Sequence, residues 1–215
     1  EVNRKKQELL YGTIDGSETG IYVSTTVFKG GIYNSGKVIG RDSAGIDIDA
    51  DTFVGGIHNS GLIRADSTGI YVDGSTFTGG IHNSGTIISD TEYGVDTDVD
   101  TFSGGIVNEG TIDSYYTAIE VSGDTFSGGI HNSGTVISRS DVGIDEYADT
   151  FLGGIFNSGS VEAYSTGIYV SGDRFEGGIV NEGSVLSHDS TAIEVRSDTF
   201  LGGIVNSGSL EAEET

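Results

Sequence analysis

Between Gly45 and Ala65 apolar and polar residues alternate with a period of two, broken at fixed places. Ile46 and Ile48 alternate with Asp47 and Asp49, the pattern of a strand buried on one face. Asp51-Thr52 reads as a turn; Phe53, Gly55, Ile57 and Asn59 then fall on one side, Val54, Gly56 and His58 on the other. Ser60-Gly61 reads as a second turn, and Ile63 and Ala65 point inward on a third short strand. The pattern predicts three short strands per winding and no helix.

The winding repeats. Thr-Phe-x-Gly-Gly-Ile-x-Asn-(Ser/Glu)-Gly returns with small variations eight times in 215 residues. Its phenylalanines are Phe28, Phe53, Phe77, Phe102, Phe126, Phe151, Phe175 and Phe200, so the step alternates between 25 and 24 residues. A fixed period of this size marks a solenoid whose coils bury their apolar side only against one another. From Ile46 to Phe53, and in the equivalent stretches, the count is always seven. The extra residue therefore falls in the loop before that strand, and a two-coil unit of 49 residues reads as the duplicated element.

Stacking the coils turns positions into columns. One is Phe throughout; the next is Ile32, Ile57, Ile81, Ile106, Ile130, Ile155, Ile179 and Ile204. A third runs Val38, Ile63, Ile87, Ile112, Val136, Val161, Val185 and Leu210, followed two residues later by Gly, Ala or Ser. Large against small at each level fills a narrow interior without voids. Each buried Phe contributes roughly 2–3 kcal/mol.

Asn34, Asn59, Asn83, Asn108, Asn132, Asn157, Asn181 and Asn206 form a fourth column, inward by parity. At a strand spacing of about 4.8 Å each amide reaches the next, which predicts a hydrogen-bonded ladder. The alternative is that these Asn tolerate a left-handed turn conformation. The Gly that follows is expected to supply a positive φ at the corner.

Leucine-rich repeats need more Leu, hexapeptide helices need shorter coils, and the Gly-Gly here is followed by Ile-x-Asn rather than by a calcium nonapeptide. The expected fold is all-β: a single-domain right-handed parallel β-helix, a three-sided solenoid of about eight coils of 24–25 residues. The right hand follows from the rule for parallel crossovers. Eight coils give a rod about 40 Å long. Residues 1–11, with the helix-forming run NRKKQELL, are expected to be an N-terminal cap or a remnant, and 12–215 the solenoid.

Repeats such as FSGGIHNSGTVIS and STGIYVSGDRF, covering roughly Gly12 to Leu210, resemble the passenger repeats of autotransporter and adhesin-like surface proteins of Gram-negative bacteria. The resemblance implies export and a β-helical stalk held outside the cell. A membrane barrel and a signal sequence are not part of the chain, which implies an excised segment, a processed passenger or an engineered array.

Composition narrows the partners. There are no Cys, Pro, Met or Trp, which removes disulfides, thiolate zinc sites and cysteine nucleophiles without specifying a compartment. No apolar run is long enough to span a membrane. The net charge of -23 argues against nucleic acid and anionic lipid and for cations. Basic residues crowd the first fifth (Arg4, Lys5, Lys6, Lys29, Lys37, Arg41) and the chain ends EAEET, so end-to-end self-association is one expectation.

Four features carry candidate chemistry. Asp51, Asp100, Asp124, Asp149, Asp173 and Asp198 share a column two residues before each Phe, read either as turn caps or, with Asp47, Asp49, Asp96 and Asp98 nearby, as a calcium site. Neither acidic run is an EF-hand, because Thr52 and Thr101 stand where Gly is needed. His58, His82 and His131 share an outward column with Tyr33, Phe156 and three Val, read as strand neighbours, a metal pair or an apolar strip. Tyr22, Asp47, Tyr71, Asp96, Glu120, Asp145, Tyr169 and Glu194 form another outward column, which suggests carbohydrate contact. Glu146 and Thr97 break a Val/Ile column, and Tyr147 is expected to take over the packing beside Glu146. No catalytic grouping stands out. The expected function is a non-catalytic extracellular stalk, with carbohydrate or calcium binding and a self-associating filament subunit as alternatives.

Overall fold

The computed structural model describes residues 9–10 and 12–213, and all structural statements refer to these. The described residues contain no helix; they wind as a parallel β-solenoid of about eight turns with three sides. Sheet A has nine strands, typified by Ile57–Asn59; sheet B has nine, typified by Leu62–Ala65; sheet C has twelve, typified by Ile46–Val54. The predicted cap falls mostly outside the described residues. Leu9–Leu10 form a short strand that pairs with Tyr33-Asn34 at the start of sheet A.

Like faces like throughout. Phe53 pairs with Phe77, Ile57 with Ile81, Asn59 with Asn83 and Ile63 with Ile87, and the register holds through to Phe200, Ile204, Asn206 and Leu210. One continuous core runs from Ile32 to Ala192. Its phenylalanine rings stack with centroids 4.6–5.2 Å apart and planes within 2–17°, a separation imposed by the strand spacing. The extra residue lies where expected: the loops between sheets B and C alternate between 41–45, 66–69, 90–94, 115–118 and so on.

The asparagine ladder is present. Each Nδ2 donates to the next Oδ1 at 2.7–2.8 Å from Asn34 to Asn206. Its second hydrogen reaches a carbonyl of the next coil, as in Asn132 to Ser160 O at 3.1 Å. The turn alternative fails, because no described residue other than glycine has a positive φ.

Three local expectations need correction. The chain does not turn at Asp51-Thr52: in the first four coils the strand runs straight through, as in Ile46–Val54 and Val95–Ser103. The parity instead slips by one there, with Ala50 and Phe53 buried and Asp51 between them exposed. From the fifth coil on the strand divides, as Ile119–Ser122 and Thr125–Ser127. Second, Phe53 to Asn59 is not one strand. Gly55 and Gly56 have φ of +128° and +73° and make the corner from sheet C to sheet A, so Gly56 and Ile57 are both buried. Third, Gly61 after the Asn does not have a positive φ. A Cβ there would lie 2.1 Å from Gly36 O, so the residue is glycine because the coils touch.

Replacing Asn132 by Ala removes one rung, leaving Asn108 Nδ2 without its acceptor and Asn157 Oδ1 without its donor. Chemical denaturation should show a loss of about 2 kcal/mol or more. Asn206→Ala, at the exposed end of the ladder, should cost clearly less; equal losses would mean the ladder adds nothing beyond local packing.

Candidate functional site

The outward side chains of sheet C gather most of the unusual chemistry. Parallel register sets Tyr22 beside Asp47, then Tyr71, Asp96, Glu120, Asp145, Tyr169 and Glu194 in single file. The loops from sheet B fold down along this column and partly cover it. Tyr93 and Tyr116 from two of these loops meet edge to face at 5.5 Å, and a shallow depression is lined by Ser43, Asp47, Thr68, Tyr71, Glu92 and Asp96.

Cover and like-charge neighbours act together on the carboxyls. Asp96 is pushed up to about 7 by burial, then by Glu120, Asp98, Glu92 and Asp73. Glu120 is raised to about 7 by burial and then by Asp145, Asp141 and Asp98. Asp145, 3% exposed, is also raised to about 7 by burial, against a hydrogen bond from Tyr147. Its Oδ1 is buried with no hydrogen-bond partner. Burial also lifts Tyr71, to about 12. No cation contributes to any of these shifts. At neutral pH the three acids are therefore only partly ionised.

At the far end of the same column a cation is present. Arg196 Nε donates to Glu194 Oε1 at 2.6 Å, and the guanidinium lies 5.7 Å from the centre of the Tyr169 ring. One tyrosine and the acid of the next coil thus hold one guanidinium between them.

Glu146 lies on the inward side of the same sheet, between Val121 and Val170. It is fully buried and neither carboxyl oxygen has a hydrogen-bond partner. Burial pushes it up to about 8, although the Ala148 and Gly172 N–H groups approach it. Tyr147 does not take over its packing: it stands just past the strand Ile144–Glu146, is 45% exposed, and its hydroxyl donates to Asp145. Thr97, also fully buried, is accommodated, its hydroxyl donating to Glu120 O at 3.4 Å.

The other candidates are not gathered into a site. Asp51, Asp100, Asp124, Asp149, Asp173 and Asp198 are all exposed and make no side-chain hydrogen bond, so none caps a turn through its carboxylate. Among the described residues no group of three or more His, Cys, Asp or Glu is disposed to hold a metal ion. On sheet A, Tyr33 stacks on His58 at 4.7 Å and His58 meets His82 at 6.0 Å. His82 bonds Glu109 at 3.1 Å, and His58 is lowered by burial and then by His82.

Sequence reasoning missed a row of ion pairs on sheet B. Asp15–Arg41, Arg64–Asp90 and Asp113–Arg139 pair at 2.5–2.8 Å, and His188 bridges Glu162 and Glu213 at 3.0 Å. The signal was present: Asp15–Arg41, Arg64–Asp90, Asp113–Arg139 and Glu162–His188 are each 26 residues apart, recurring every 49 residues.

Glu146→Val should stabilise the rod, more at high pH than at low. A carboxyl raised from 4.5 to about 8 in the fold carries no ionisation penalty below its unfolded value; the penalty grows as pH rises toward 8. Thermal or urea unfolding should show a gain of about 2–5 kcal/mol near pH 8.5 and a smaller one near pH 5; a pH-independent gain would refute the ionisation argument. Family models, curated proteins and solved structures were all compared with this chain, and none matches.

Proposed function

We propose that the chain is a non-catalytic extracellular stalk, a rigid spacer like the passenger repeats of Gram-negative autotransporter and adhesin-like proteins that its repeats resemble. The observation that carries the reading is continuity. The amide ladder runs unbroken from Asn34 to Asn206 and the ring stack from Phe28 to Phe200. Any force along the axis is shared by inter-coil hydrogen bonds on three sheets. A shape held this way needs no bound partner to keep it straight, which suits a projecting or presenting element. The resemblance also supports export to the bacterial surface.

A second reading is a carbohydrate- or calcium-binding module; the tyrosine–acid column, whose carboxyls Asp96, Glu120 and Asp145 lack cations of their own, favours its carbohydrate form.

A glycan array separates the first two readings: a spacer binds no glycan selectively, while a lectin-like module does. Thermal melting in millimolar calcium, against sodium at matched ionic strength, should leave the melting temperature unmoved for a spacer. A calcium-specific rise would replace the stalk reading with the second one.

A further inference from the structure

The column on sheet C holds a chemistry that a spacer does not use. Asp96, Glu120 and Asp145 stand on successive coils, about 4.8 Å apart, with Asp73, Asp98, Glu92 and Asp141 close enough to raise them further. The charged and titratable groups facing them are acids and tyrosines: Tyr93 and Tyr116 from the loops, Tyr71 from a strand and Tyr147 just past the end of one. Asp145 Oδ1 is buried in this trough with no partner. Two coils away, Tyr169 and Glu194 hold the Arg196 guanidinium, which is the arrangement the rest of the column lacks. On sheet B, by contrast, the acids Asp15, Asp90 and Asp113 each have an arginine partner from the neighbouring coil, and Glu162 has His188.

We propose that the outer column from Tyr71 to Glu194 is a docking strip for an arginine-rich extended segment of a partner protein, whose guanidinium groups seat between tyrosine rings and carboxylates as Arg196 does. Arginine fits better than lysine, because a planar guanidinium stacks on a ring while its edge donates to a carboxylate. Seating a cation also draws protons off the column, so binding strengthens as pH rises through about 7. The proposal shares its face with the second reading above but asks for a different ligand, and neither calcium nor glycan binding is required for it.

The test is titration calorimetry of the intact chain with a hexa-arginine peptide, near pH 8 and about 0.1 M salt, where exposed charges are screened beyond about 10 Å. Two variants with the same net charge are compared. Asp96→Asn/Glu120→Gln/Asp145→Asn empties the strip, and Glu109→Gln/Glu182→Gln/Glu211→Gln removes three exposed acids elsewhere. The first should weaken binding about tenfold or more, while the second changes it by less than about twofold. Binding should also weaken near pH 5.5, and hexa-lysine should bind less tightly. Both variants must melt at or above the parent temperature; the strip variant, relieved of buried like charges, should melt higher. Equal weakening by the two variants would reduce the effect to attraction by net charge. Failure to bind near pH 8, or equal affinity for hexa-lysine, would overturn the proposal.

Discussion

Each coil lies directly on the one before it, at the spacing of two hydrogen-bonded strands, and the rest follows from that constraint. At about 4.8 Å a residue's nearest neighbour is its own counterpart, so a column that keeps one residue type throughout needs a side chain that tolerates a copy of itself. Phenylalanine does so by stacking, with planes within 17°. Asparagine does so because its amide is both donor and acceptor, a self-complementarity that aspartate and lysine lack. Glycine is required where even a Cβ would strike the neighbouring coil, as at Gly61.

The same constraint governs what was legible in the sequence. The period, the three sides, the inward columns and the ladder could be read because self-pairing writes the same residue type at a fixed interval. Corners were harder. Gly-Gly resembled an alternating strand because period-two parity carries Phe53 correctly to Asn59 even with a corner between them, and Gly61 looked like a turn residue when its role is contact with Gly36. Asp51 marks the parity slip in sheet C rather than a turn: the strand Ile46–Val54 runs past it, and the pairing resumes at Thr52 after skipping it. The candidate site was only half legible. The tyrosine–acid column could be listed from the repeat, but its cover by Tyr93 and Tyr116 comes from loops whose path no periodicity encodes. The ion pairs of sheet B escaped because they join a strand residue to a loop residue, and so lie on no single column.

Duplication by pairs of coils explains how sheet B avoids like charges in contact. Its outward column alternates charged and apolar residues: Asp15, Ile39, Arg64, Ile88, Asp113, Ile137, Glu162 and Leu186. Each charge is separated from the next by an apolar residue, and its partner comes from the longer loop of the next coil. Those longer loops have their own support: in three of them the serine that ends the sheet B strand, Ser89, Ser138 or Ser187, accepts the N–H three residues on, at 3.1 Å. The intervening coils carry Ala65, Ser114 and Ala163 there. An alternation of 25 and 24 residues thus brings both a charge pattern and a loop pattern.

Sheet C shows the opposite case. Its outward column changes type from coil to coil, yet for three successive coils the residue is acidic, and no loop supplies a cation. Where Arg196 reaches back to Glu194 and the Tyr169 ring, the local charge is balanced within the coil; between Asp96 and Asp145 it is not. The inward side of the same strand adds Glu146, an unpaired acid in a valine column. Two neighbouring carboxyls on opposite faces of one strand, both held near neutrality, make this the place where the stacking rule opposes the fold instead of supporting it. A rod selected only for stiffness gains nothing from such a coil, because valine inside and an alternating charge outside are already used elsewhere in the same chain. The strain sits where partner charge from outside the chain would relieve it.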